Sequence, residues 1–350
     1  MGSPFGVSGR LSLGFVVASV GAVLIFSAAL PAQTCITQAN LAPALRDKLA
    51  DRALAIAIAV QAGDSAKVQS LASPEFAANF SQTASLIASL GPALAGDALH
   101  VTHLFQLDAT NRKAGDTSDA DFSCPLAATA SETDFSIAAL PPGLYAFATV
   151  AATDGPRPWQ ISLLLQQQAS VSGAAPEWKM AGFYPRESTV AGHDGLWFWR
   201  AARDDAQAKE QLLAWLLYGE ADDLLRPANF MTSTNLDKLR AERRAATPPE
   251  LQDGISAATP LVVKSGDASY RFTAIAAQPS DDGKQLILAL HYDAPYEADP
   301  AAGRTRNIAA AQALVAAHKA LRGAFDRVLV IADSSGHSPF VNDYPMDHIP

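Results

Sequence analysis

The chain has 350 residues, about half of them apolar, and a formal net charge of −9. That length suits about two domains with real cores, and an acidic surface repels phosphate backbones, which excludes nucleic acid as the expected partner. The one basic cluster, Arg240, Arg243 and Arg244, lies among alanines before "TPPE" and reads as a solvated helix end.

Arg10 precedes an uncharged apolar run from Leu11 to Leu30, followed by "PAQ". Residues 1–32 therefore read as an export signal, with small residues placed for cleavage after Ala32. The run is also long enough for a single membrane anchor, and membrane contact is expected only through residues 11–30 if they are retained. Cys35 and Cys124 lie beyond it. In an oxidising periplasmic or extracellular setting, these two are expected to pair as a disulfide.

Downstream, Leu45, Leu49, Ala53, Ile56 and Val60 recur at helical spacing, and Gly63 suits the left-handed residue that ends a helix. "GDSAKVQSL" reads as a short helix. "SPEF" opens another, with Ser73 as N-cap and Pro74 in the first turn; Phe76, Phe80, Ile87 and Leu90 form its buried side, and Gly91 and Pro92 stop it. From His100 the period becomes two, with Val101, His103, Phe105 and Leu107 on one face. A polar loop from Asn111 to Asp121 leads to "TDFSIAALPPGLYAFATV", two strands joined at Pro-Pro-Gly. "WQISLLLQ" and "EWKMAGFY" supply two more, with a Ser- and Gly-bearing loop between them. Helices followed by a strand meander predict an α+β layer fold over residues 40–188.

That order of elements, with "AGDSAKVQSLASPEF" interrupting the helices, resembles the nuclear-transport-factor-2-like superfamily. The resemblance implies a cone-shaped sheet wrapped around a pocket, in which enzymes of the superfamily often use a His or an Asp to move a proton. The Pro-Gly-Tyr stretch is also similar to the hairpin of small carboxypeptidase-regulatory-type β-sandwiches, although two long helices in front argue against a pure sandwich. On the cone reading, His103 is the candidate proton carrier, and His103, Phe105, Tyr145, Trp159 and Trp178 are candidate ligand-lining residues. "HVTH" does not chelate an ion, because His100 and His103 are three apart and point to opposite faces of a strand.

"GHDGLWFW" (192–199) follows. Its glycines and Asp194 make a turn that caps a helix. Trp197 and Trp199, two apart on that helix, splay to different surfaces, so Trp197, Phe198 and Trp199 read as a seam between domains. Residues 192–246 are expected as a helical connector, and "AATPPELQDG" as a linker.

Residues 258–350 then predict a small β-β-β-α-β domain with a C-terminal tail. If "KQLILALHYD" and "RVLVIAD" are parallel neighbours joined by the intervening helix, both end on one edge, where sites in open α/β layers gather. That edge carries His291, Asp293, Asp333 and His337, the residue types that hold a divalent cation. The surrounding phrase resembles the His-x-Asp segment of co-catalytic zinc aminopeptidases, but Asn307 stands near the place of that family's bridging Asp and no glutamate pair follows. No phosphate-cradling loop, nucleophile elbow or His-Glu-x-x-His helix is present, and no cofactor is indicated. The expected function is that of an exported, non-catalytic binding or interaction protein of a bacterial-type envelope, its partner an apolar small molecule or an envelope protein. The alternative is an enzyme, working through His103 or as a metal-dependent hydrolase at the C-terminal strand ends.

Overall fold

The computed structural model describes residues 33–126, 130–155, 157–169 and 175–350. The apolar run read as a signal or anchor lies outside the described residues, as does most of the Ser- and Gly-bearing loop. Strand β1 (Thr34–Thr37) precedes helices α1 (Pro43–Gln61), α2 (Ser65–Ser70), α3 (Pro74–Ala77) and α4 (Ser81–Ala93). The expected stripe on α1 is real: Leu49, Ala53, Ile56 and Val60 are buried. Gly63 takes φ +66° after α1, Asp64 accepts a bond from Lys67 N at 2.8 Å to start α2, and Ser73 caps α3 through Phe76 N.

The single helix expected from Pro74 is two. The chain breaks after α3 and Phe80 turns inward, its ring edge-on to Phe76 at 6.1 Å. Nor do Gly91 and Pro92 stop α4. Pro92 sits in the last turn, and at Gly91 a Cβ would lie 3.1 Å from the backbone of Gly63, so the missing side chain lets α4 close on the end of α1.

Strands β2 (Ala98–Asp108), β3 (Ala120–Pro125), β4 (Glu132–Ile137), β5 (Leu144–Thr153), β6 (Trp159–Gln168) and β7 (Glu177–Glu187) follow. The antiparallel sheet β1-β2-β5-β6-β7 carries the helices on one face. The segments flanking Pro-Pro-Gly do not pair with each other: β5 joins this sheet, whereas β4 joins β3 in a second one. Arg112 organises the loop before β3 by donating to the carbonyls of Leu140, Asp119 and Ser118.

Next come the two-residue ladder β8 (Thr189–Val190) and β9 (His193–Asp194), helices α5 (Gly195–Gln207) and α6 (Gln211–Leu225), strand β10 (Met231–Ser233) and helix α7 (Thr234–Ala245). β10 pairs with β4, Met231 opposite Phe135 and Ser233 opposite Thr133, and completes the second sheet β10-β4-β3. This segment is more than a connector. It covers the face of the first sheet remote from the helices, where Phe105, Phe135, Phe147, Phe230 and Tyr184 meet edge-on. A disulfide between Cys35 and Cys124 ties β1 to β3, with the Cα atoms 5.2 Å apart.

The C-terminal part comprises β11 (Leu261–Ser265), β12 (Ala268–Pro279), β13 (Leu286–Asp293), α8 (Pro300–Ala317), α9 (Leu321–Ala324), β14 (Arg327–Asp333) and β15 (Phe340–Pro345). Their order is β11-β12-β13-β14-β15, with β13 and β14 parallel and α8 as the crossover. The expected tail supplies β15 as a fifth strand. Fully buried Asn307 of α8 fastens it, donating to Asn342 Oδ1 at 2.9 Å and accepting from the Tyr292 hydroxyl at 2.7 Å. Phe198, Leu213, Leu217 and Leu239 share one core with Leu288, Leu290, Leu314 and Val330, so α5–α7 belong to the layer over this sheet. Residues 33–350 form one compact unit.

The bridge closes a loop with a sequence separation of 89. Replacing Cys35 and Cys124 together by Ser is expected to cost about 4 kcal/mol in chain-entropy terms, read as a lower denaturant midpoint with a steeper slope from the expanded unfolded chain; an unchanged midpoint would mean that the bridge does not constrain the unfolded chain.

Candidate functional site

The His103 region departs from the expected alternation at one residue. A bulge at Thr102 separates the Val101–Val150 pair from the His103–Thr149 pair, and an extra residue reverses the side-chain parity of all that follows. Val101 and Leu104 therefore both pack toward the helices, while Phe105 and Leu107 join the core under the second sheet. The same bulge places His100 and His103 on one face, opposite Ala151 and Thr149, which corrects the expectation of opposite faces. A pair of imidazoles is still short of a metal site. Among the described residues no group of three or more His, Cys, Asp or Glu is arranged to hold an ion.

His103 Nδ1 lies 3.2 Å from Thr149 Oγ1, which is 2.6 Å from Thr102 Oγ1. Its partner is a hydroxyl and no carboxylate orients it. Burial lowers its pKa below the ordinary histidine value, so the ring favours the neutral form. It edges a recess of about 240 Å³ beside Thr37 and Ala39, and another of about 180 Å³ beside Thr133 and Met231.

The five residues expected to line a cone pocket do not face one space. Phe105 and Tyr145 are buried in the aromatic core, and the Tyr145 hydroxyl donates to Pro141 O at 3.0 Å and accepts from Gln166 Nε2 at 3.2 Å. Burial pushes this phenol up to about 12. Trp178 is buried on the helix face, and half-buried Trp159 packs against the same core from the opposite end of the β6–β7 ladder. The physical reason is the sheet itself, whose alternate residues serve opposite cores, one of them plugged by β10, β4 and β3.

At the C-terminal strand ends, His291 Nδ1 stands 3.1 Å from Asp333 Oδ2. Asp293 turns instead to Arg271 at 3.7 Å, and the His337 ring stacks on Tyr296 at 3.9 Å. The four expected ligands thus form separate pairs and do not converge on one point.

A concavity also lies beside "GHDGLWFW". Ala191 and Gly192, both at positive φ, turn the chain between β8 and β9, and Asp194 accepts from Trp197 N at 2.7 Å to cap α5. Gly195 is required by close approach: a Cβ there would lie 2.6 Å from Leu225 Cγ. Phe198 and Trp199 point inward. Trp199 Nε1 donates to Glu242 at 2.7 Å, Arg203 donates twice to the same carboxylate, and the guanidinium lies 4.5 Å over the indole. The tryptophans do splay: Trp197 remains 40 % exposed and stacks on His193, centroids 3.7 Å apart.

Beside this stacked pair runs a groove of about 560 Å³. Trp197 and Phe198 of α5, Leu213 and Leu217 of α6, Leu286 of β13 and Ala324 of α9 line it, and Asp205, Asp326 and Lys284 also reach it. Its volume is that of ordinary small-molecule sites, and its lining mixes apolar side chains with His193, Asp205, Lys284 and Asp326. Sequence reasoning placed the tryptophans but not the groove. The available signal was that Trp199 and Trp197 could not both be buried on one helix.

Glu220, 5 % exposed, lies one turn beyond Leu217 on the same stripe of α6. Burial, reinforced by Asp223, pushes its carboxyl up to about 8. A carboxyl raised on folding contributes stability that is fully present below its unfolded value of about 4.3 and is lost as pH rises through its folded value. Stability is therefore expected to fall between pH 5 and 8 by up to about 1.4 kcal/mol per pH unit, and Glu220→Gln to remove that slope; parallel denaturant titrations that superimpose in slope would refute this assignment. No family model matches this chain, and neither does any curated protein or solved structure.

Proposed function

We propose that this is an exported binding protein that holds a small, largely apolar molecule in the groove between α5–α6 and the β13–α9 edge. The observation that carries the reading is the groove itself, which combines apolar side chains with charged ones and presents the His193–Trp197 stack. The neighbours of His103 are threonine hydroxyls, and at the C-terminal edge His291 pairs with Asp333 while Asp293 and His337 turn to Arg271 and Tyr296, so the four do not converge as ligands of one ion. Export is supported by the Cys35–Cys124 bridge, which belongs to an oxidising compartment. Helices laid on a five-stranded antiparallel sheet are in keeping with a nuclear-transport-factor-2-like ancestry, in a version whose concave side has been closed by β3, β4 and β10.

The test is native mass spectrometry of the protein recovered after export of the full chain. A small organic adduct on the wild type, released on denaturation and lost in Trp197→Ala, is the expected result. A bare mass for both proteins, with melting temperatures unmoved by a panel of medium-chain alcohols, would overturn the reading, and a divalent-cation adduct would replace it with a metal-dependent one.

A further inference from the structure

The C-terminal sheet carries helices on one side only. Helices α6 and α8 pack against the face that presents Phe272, Leu288, Leu290, Val328 and Val330. The other face is open: Val341 is 51 % exposed, Ala274 and Ala276 are exposed, and Leu329 and Ile331 are half-buried. A strand with one face in water usually alternates apolar with polar residues, whereas a strand covered on both faces reads as a continuous apolar run. β13 and β14, "LILALHYD" and "RVLVIAD", are runs of the second kind. One copy of the chain covers them on a single side.

The register shows what the uncovered side offers. Ile331 stands between His291 and Val341, and Leu329 between Ala289 and Asp343. Along β14 the open-face side chains are Arg327, Leu329, Ile331 and Asp333, which is a cation, two aliphatics and an anion. Arg327 donates to the Asp343 carboxylate through Nε alone, at 2.9 and 3.0 Å. Asp333 meets His291 Nδ1 through Oδ2 alone, at 3.1 Å. The Arg327 Nη groups and Asp333 Oδ1 therefore make no hydrogen bond among the described residues.

That order of side chains is its own complement. A two-fold axis lying in the face, and crossing β14 at right angles midway between Leu329 and Ile331, sets Arg327 of one copy over Asp333 of the other and Leu329 over Ile331. An axis parallel to β14 would instead set Arg327 on Arg327. We infer that this open face is where two copies of the chain pair, sheet on sheet, about the first axis, an isologous contact in which each interaction occurs twice. Strand spacing and rise over β12–β15 give about 500 Å² a side, or about 1,000 Å² in all, the lower bound of a specific interface. Association in the micromolar range is expected. The inference is independent of the groove, which opens among the helices on the other side of the sheet.

Sedimentation velocity on the exported protein, from about 1 to about 100 µM, spans the range in which an interface of this size associates. The expected result is a mass that doubles with concentration, and a monomer throughout for Ile331→Lys with an unchanged circular dichroism spectrum. Arg327→Asp and Asp333→Arg are each expected to weaken pairing about tenfold, and the two together to recover most of it, which misfolding could not produce. A wild type that stays monomeric overturns the inference. So does a dimer that survives Ile331→Lys, and a double variant weaker than either single one refutes the Arg327–Asp333 contact and with it the axis.

Discussion

The architecture depends on three residues of pairing. Met231–Ser233 lie across from Thr133–Phe135, nearly a hundred residues earlier in the chain, and the contact is reinforced where Glu132 N donates to Thr234 Oγ1 and Ser136 N to Phe230 O. Without β10, the β3–β4 hairpin would be a two-stranded ribbon, a structure of marginal stability by itself. With it, the ribbon becomes a lid whose Phe135 meets Phe105 and Phe147 of the sheet beneath. The lid decides what the first sheet can do. The far face of the first sheet is therefore filled with aromatic rings and forms a core.

A groove opens where α5 and α6 meet the β13–α9 edge. Helix α6 packs against the C-terminal sheet through alternate leucines, and α5 crosses its end, held at Gly195 by the close approach of Leu225. Because Trp199 is drawn toward Glu242 and Arg203, Trp197 must look outward over the space that α9 leaves uncovered. The groove is thus a by-product of good packing on either side. Its acidic bias follows from local sequence: "RDDAQAKE" ends α5 with two aspartates and places Glu210 close behind them.

Much of this was legible in the sequence wherever the cause was local or periodic. The α1 stripe, the Ser73 and Asp194 caps, the pairing of the two cysteines and the parallel β13–β14 crossover all rest on spacing, caps or short topology rules. What escaped depended on distant partners. β1, β3, β10 and β15 are short strands whose identity comes from the neighbour they pair with, and a three-residue strand such as Met-Thr-Ser carries no periodicity to detect. The bulge at Thr102 left no glycine to mark it, yet it turned Phe105 into the core under the second sheet and left His103 exposed on that same face. At the site, the residue types in "GHDGLWFW" were conspicuous, but a groove is a relation among α5, α6, β13 and α9, and no single stretch encodes it.

The late position of β10 also bears on how the molecule is made. A chain synthesised from its N-terminus completes every strand of the first sheet some forty residues before the strand that roofs it exists, counting from the end of β7 to Met231. During that interval Phe105, Phe147 and Tyr184 lack the cover of β10, and the β4 edge that β10 will pair stands open. The nascent protein is therefore most adhesive halfway through its biogenesis, and a disulfide joining Cys35 to Cys124, both already emerged, is the one covalent restraint available to hold the unfinished lid in register until its third strand arrives.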